Sequence, residues 1–210
     1  GGSFSANVSY PWVLYLFTGM TTEEVQAITE ESNDVALGEK LEYYTLTSSY
    51  KLPGKAGVVT GEYKRGLRVV PEMANLMNVF RANGFDVYVC SASMEDVVKV
   101  FASNPKYGYN LPPENVIGMR LEKDSNGRYK TEYKRGYPQT QQEGKTEAIK
   151  QILASKYGYG PIFIAGDSQG DYNMATDFED TQLVLIINRV RSLSDKITQL
   201  VQKAVESMGD

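Results

Sequence analysis

Residues 162–165, Ile-Phe-Ile-Ala, are apolar without a break, and the run stops at Gly166. A strand that is apolar on both faces must be covered on both, a condition met inside a parallel sheet flanked by helices. Asp167 and Asp171 follow at once, separated by a turn that contains Gly170. In open α/β sheets ligands sit beyond the carboxyl ends of the strands. The two acids are therefore placed to hold a hard cation such as Mg2+, which takes oxygen ligands and keeps several waters. The same residues also suit a loop that caps the next helix.

Other segments extend the pattern in both directions. Pro71 fits the first position of a helix, where its missing N–H costs nothing. Met73, Leu76, Met77 and Phe80 then give that helix one apolar face, which ends at Asn83-Gly84. Residues 85–90 read as a strand, and Ser93 reads as the start of a helix with Met94, Val97, Val98 and Phe101 as its buried stripe. Helix, strand and helix joined by short turns argue for a parallel α/β sheet. Residues 116–122 and 128–133 flank Asp124-Ser-Asn-Gly127, a β-hairpin with glycine at a left-handed position, and residues 116–119 also suit the main sheet. A helix from Lys145 to about Lys156 buries Ile149, Ile152 and Leu153. Residues 183–187 form a last buried strand, and Ser192 caps a final helix carrying Ile197, Leu200 and Val201.

The first third is less regular. Residues 11–17 are apolar throughout and fit either a strand or a buried helical segment. Thr21 and Glu24 form a capping box for a helix that runs to about Ala36 and is ended by Gly38. Beyond it, Tyr43, Tyr44, Tyr50 and Tyr63 are expected to pack a cap layer against the core. A cage for a quaternary ammonium, held by cation–π attraction, is the functional alternative. Glu-Tyr-Lys-Arg-Gly occurs at residues 62–66 and again at 132–136, but the flanks differ and no structural repeat follows.

Composition removes whole classes of chemistry. The 210 residues include no histidine, which excludes Ser-His-Asp and Cys-His catalysis and histidine zinc sites. Catalysis must use carboxylates, lysine, hydroxyls or a metal held by oxygen. A net charge of −4 with scattered basic residues argues against a nucleic-acid partner. No apolar run is long enough to span a bilayer. Cys90, the single cysteine, lies in an apolar stretch and is expected to be core packing. The Gly-Gly-Ser start, without methionine, gives the expectation of a cut or engineered terminus.

Two further positions carry chemistry. Ser91, after the strand at 85–90, stands where its hydroxyl and neighbouring backbone N–H groups, including that of Ala92, can bind a phosphate. Lys145 lies in the first turn of its helix, where a cation opposes the macrodipole by ~0.3–1 kcal/mol. A carboxylate or phosphate within reach is expected to offset it.

Gly-Asp-Ser-x-Gly-Asp-x-x-Met at residues 166–174 resembles the fourth motif of the haloacid dehalogenase superfamily. It is most similar to the branch of small-molecule phosphatases that includes phosphoserine and phosphorylcholine phosphatases. Ser91 resembles the second motif, and Gly144-Lys145-Thr-Glu-Ala-Ile the third. Phe-x-Gly-Met-Thr-x-Glu-Glu-Val at residues 17–25 resembles the helical cap of the phosphorylcholine-phosphatase-like branch. The resemblance implies a Rossmann-like parallel sheet flanked by helices, with a helical cap and a β-hairpin insertion. It implies a mainly helical cap region over residues 1–66 and a core over 67–210. It further implies that Asp167 is a direct Mg2+ ligand, with Asp171 a supporting metal-site acid acting through water or an adjacent lysine. Ser91 and Lys145 would then be the catalytic and phosphate-holding groups for a small phosphorylated substrate.

One departure is serious. The family's first motif is Asp-x-Asp-x-Thr, whose first aspartate attacks phosphorus, and no Asp-x-Asp occurs in this chain. The expectation is a Mg2+-dependent phosphomonoesterase whose first core strand lies upstream of residue 1, on a segment cleaved but retained. The alternative is a non-catalytic domain that binds a phosphorylated ligand or a protein partner. In that case residues 12–17 would have to fill the place of the missing strand.

Overall fold

The computed structural model of the protein describes residues 4–190 and 192–208. The chain opens with helix α1 (Ala6–Leu14), which passes into a 3-10 turn at Tyr15–Phe17. Residues 12–17, fitted to a strand or a helix by their apolarity alone, are thus helical. Helix α2 (Thr22–Gly38) begins at the capping box. Thr21 Oγ1 accepts the Glu24 N–H at 3.2 Å, and the Glu24 carboxylate accepts the Thr21 N–H at 2.8 Å.

An antiparallel ribbon follows, β1 (Glu42–Thr47) with β2 (Thr60–Arg65). It corrects the expectation for the tyrosines. Tyr43, Tyr44, Tyr50 and Tyr63 are 68%, 41%, 78% and 49% exposed and do not pack one layer on another. Among the described residues the ribbon has no covering layer, and its rings meet each other and its own cations. Tyr44 and Tyr63 meet edge to face at 5.6 Å, while Lys64 and Arg65 lie over the Tyr43 and Tyr44 rings at 5.1 and 4.9 Å.

Helix α3 (Pro71–Ala82) has Pro71 in its first turn. Strand β3 (Val89–Met94) comes next, then helix α4 (Glu95–Ser103) and strand β4 (Val116–Met119), parallel to β3. These boundaries differ from the sequence reading: the strand starts at Val89 rather than Phe85 and continues through Ser93. The ladder decides this, because Val89 is opposite Val116 and Met94 opposite Met119, with a register shift between. At that shift Ser91 Oγ accepts the Ser93 N–H at 3.1 Å. Ser93 is therefore inside the strand and caps no helix.

The hairpin β5 (Leu121–Lys123) with β6 (Tyr129–Tyr133) turns through Gly127, whose φ is +75°. Helix α5 (Glu143–Ile149) continues through a π-turn at Lys150–Ala154 into the short α6 (Ser155–Tyr157). Strand β7 (Phe163–Gly166), short helix α7 (Tyr172–Thr176) and strand β8 (Leu183–Ile186) complete a second parallel pair. Helix α8 (Lys196–Ser207) starts from Asp195 and not from Ser192.

Parallel strands flanked by helices are therefore present, as two pairs. Among the described residues β3 pairs only with β4, and β7 only with β8. The pairs are joined by packing rather than by a ladder. Cys90 of β3 packs on the cluster of Ile149, Ile164, Met174 and Ala175, and the Phe80 ring of α3 meets Phe163 of β7 at 5.1 Å. Leu14 and Val25 join Met94, Met119, Leu121 and Tyr129 in another cluster, which fixes α1 and α2 to the carboxyl ends of β3 and β4.

Candidate functional site

The site forms at the carboxyl end of β7 because the chain reverses sharply there. The Asp171 N–H donates to the Ser168 carbonyl at 2.9 Å, and Asp171 folds back under the strand end. Its Oδ2 accepts from the Asp167 N–H at 3.0 Å, the Ser168 N–H at 3.0 Å and the Ser168 hydroxyl at 2.9 Å. Gly166 permits the reversal: a Cβ there would lie 2.6 Å from that of Asp171.

The other oxygen of Asp171 meets Lys145. Nζ donates to Oδ1 at 2.6 Å, and the two side chains are only 9% and 7% exposed. This carboxylate is what the cation in the first turn of α5 requires. Burial alone would raise the Asp171 carboxyl. The charge and hydrogen bond of Lys145, with the donors from Asp167 and Ser168, outweigh that and hold it below its ordinary value.

Lys145 is brought to this spot by a tight approach of two backbones. A Cβ on Gly144 would lie 1.7 Å from the Gln139 carbonyl oxygen. Gln142, with φ +48°, turns the chain into α5. The folded-back segment carries Thr140, fully buried, whose hydroxyl donates to the Ser91 carbonyl at 2.5 Å. Ser91 and Lys145 are thus linked through one short loop. Burial pushes the Cys90 thiol up to about 11, opposed by the Lys145 charge. That thiol is packing, not a nucleophile.

Asp167 points differently. Its side chain is 43% exposed, and its Oδ2 accepts from Arg189 at 2.8 Å. Mg2+ usually takes one or two carboxylates, with waters and substrate phosphate completing the shell, so Asp167 can serve as one such ligand. Asp171 already accepts from four donors and is tied to Lys145. Among the described residues no group of three or more acids, histidines or cysteines could hold a metal alone.

Ser91 and Ala92 are half-buried in β3 rather than at a helix start. The amino end of α4 is met instead by its own Glu95 and Asp96. A phosphate at Ser91 would thus rely on the hydroxyl and local backbone N–H groups. Thr140 and Arg189 are not marked by the sequence, and Ser168 stands in the motif at residues 166–174 without a role. Ser168 could have been found as the residue between Asp167 and a capping partner. Thr140 and Arg189 meet partners 49 and 22 positions away, and no local pattern marks them.

Comparison with known proteins follows the same outline. A model of the haloacid dehalogenase-like hydrolase family matches residues 41–176, well over half of the chain. A curated relative, the phosphorylcholine phosphatase of Pseudomonas aeruginosa, is 36% identical over 112 residues, covering 53% of this chain and 29% of the relative. A solved structure, a conserved protein of unknown function from Anaerococcus prevotii, superposes with a TM-score of 0.83 at 33% identity. That alignment covers 93% of this chain and 50% of the other. The chain thus spans half or less of the length of these relatives.

Proposed function

The chain belongs to the haloacid dehalogenase-like hydrolases, and on that premise we propose that it supplies most of the site of a Mg2+-dependent phosphomonoesterase. The substrate is a small phosphate ester of the phosphocholine or phosphoserine kind. The observation that carries the reading is the buried Lys145–Asp171 pair, 2.6 Å long, next to the half-exposed Asp167 at the end of a parallel strand. A lysine held this rigidly by a carboxylate keeps its charge fixed in a dry setting, where stabilising phosphoryl oxygens requires little reorganisation.

In this reading Ser91 donates its hydroxyl to one phosphate oxygen, and the N–H beside it at Ala92 adds a second donor. Lys145 neutralises charge on the phosphoryl group, while Asp171 keeps the ammonium in place and does not touch substrate. Asp167 would hold Mg2+, releasing Arg189 as it does so. When bound, the ion supplies electrostatic stabilisation of the transferring phosphoryl group.

The attacking carboxylate belongs to a strand outside residues 1–210, inserted between β3 and β7 from an upstream segment of the same protein. Two features support this. The two parallel pairs share no ladder among the described residues, and residues 12–17, the one internal candidate for the place, are helical. Buried backbone groups left unpaired cost ~1–3 kcal/mol each, so two such edges favour a strand between them. The helical state of 12–17 also weighs against the non-catalytic alternative.

Support for phosphocholine comes from the Pseudomonas relative and not from the ribbon tyrosines, whose rings face their own Lys64 and Arg65. The test is kcat/KM of the full-length protein for phosphocholine, phosphoethanolamine and phosphoserine, with Mg2+ and with chelator. Mg2+-dependent hydrolysis with phosphocholine preferred is the expected result. Equal rates for the amines would remove the substrate assignment alone. No hydrolysis of any ester would remove the enzyme.

A further inference from the structure

Among the described residues the ribbon β1–β2 has no further strand on either edge, and residues 42–46 of β1 are exposed. Residues 60–64 of β2 are all exposed, and among the described residues the ribbon belongs to no larger sheet. An isolated two-stranded ribbon is marginal in water, and an exposed edge is a template for another strand.

Its backbone fixes which groups are offered. The Ser48 N–H donates to the Val59 carbonyl at 2.8 Å. By the alternation of antiparallel ladders, the bonded pairs continue at Leu46/Gly61, Tyr44/Tyr63 and Glu42/Arg65. Thr60, Glu62 and Lys64 therefore turn their N–H and C=O groups outward from β2.

Charge then selects the partner. The pentapeptide Glu-Tyr-Lys-Arg-Gly occurs twice, and its second copy, in and after β6, is satisfied within the chain. There Glu132 pairs with Lys130 at 2.8 Å and with Arg135 at 3.5 Å, and Lys134 with Glu122 at 2.9 Å. In the copy on β2, Glu62 and Lys64 make no ion pair among the described residues, although Arg65 pairs with Glu39. A strand of the same sequence, run antiparallel about a two-fold axis at Tyr63, sets Glu62 of each copy opposite Lys64 of the other. The outward groups of both residues are then bonded across the axis. Registers centred on Glu62 or on Lys64 would place like charges opposite each other, which is destabilising.

We propose that β2 is the interface of a symmetric homodimer, in which two ribbons join edge to edge as one four-stranded antiparallel sheet centred on Tyr63. Such an isologous contact closes on itself and leaves no open array. It is independent of the phosphatase assignment.

The test is sedimentation equilibrium of the full-length protein, with circular dichroism to verify folding of each variant. Wild type is expected to be a dimer. Glu62→Lys and Lys64→Glu should each weaken dimerisation by about tenfold or more, since both symmetric pairs become repulsive. In a mixed dimer of the two variants the introduced lysine faces the introduced glutamate, and the native Lys64 of one chain faces the native Glu62 of the other. The mixture should therefore recover the wild-type affinity. The double exchange in one chain should recover it too. Wild type that is monomeric at its highest soluble concentration would overturn the proposal. So would variants that dimerise as wild type does, or a mixture that does not recover.

Discussion

Removing the Asp171 carboxylate is the perturbation whose cost is most directly legible in the geometry. Asp171→Ala leaves Lys145, 9% exposed, as a buried charge without its partner at 2.6 Å. Breaking one side of a buried ion pair costs about 3–5 kcal/mol. The Asp167 and Ser168 donors also lose their acceptor. In a chain of this size 1 kcal/mol moves the melting temperature by about 2–4 °C, so Tm should fall by roughly 6–20 °C. Lys145→Met should cost a similar amount by stranding the anion. The double variant should cost clearly less than the sum, because replacing both charges by apolar groups removes the uncompensated one. Urea unfolding followed by circular dichroism measures all three. Additive losses below about 1 kcal/mol each would refute the claim that this pair is buried and coupled.

Other predictions concern the same few residues. Because Asp171 is held below its ordinary carboxyl value of 3.8, its contribution to stability is complete above that pH and is lost as pH falls through the depressed folded value. In a pH series of urea melts, the Asp171→Asn variant should therefore lose less stability than wild type below about pH 4. Gly144→Ala drives a Cβ to within 1.7 Å of the Gln139 carbonyl, so the turn that carries Thr140 and Lys145 must open. A loss of about 3 kcal/mol or more is expected, and a near-neutral melt would contradict the close approach. Arg189→Ala frees the Asp167 carboxylate of its exposed ion pair. It should tighten Mg2+ binding by up to about fivefold in calorimetry, and weaker binding would contradict the competition.

Much of the local structure was legible because single residues enforce it. The Thr21–Glu24 capping box, Pro71 at a helix start and the left-handed Gly127 are each a local bond or a local φ. Lys145 was legible through its conflict with the helix dipole, and Asp171 at 2.6 Å resolves that conflict. Boundaries failed where a distant partner decides them. The end of β3 is set by Met119 of β4, and the start of α8 lies at Asp195 although Ser192 has the better local pattern. The tyrosines stay exposed because aromaticity favours burial only when a second layer exists, and among the described residues the ribbon has none.

In the proposed site Asp167, Lys145 and Ser91 serve one phosphoryl group, with Mg2+ held by Asp167. The most direct test is phosphate release by the full-length protein from an aryl phosphate across a Mg2+ titration, wild type against Asp167→Asn. Asp167 is half-exposed and takes no part in the core, so the variant should stay folded. Hydrolysis should rise with Mg2+ in the wild type and fall by orders of magnitude in the variant. Hydrolysis by Asp167→Asn at the wild-type rate and the same Mg2+ concentration would contradict the proposed site.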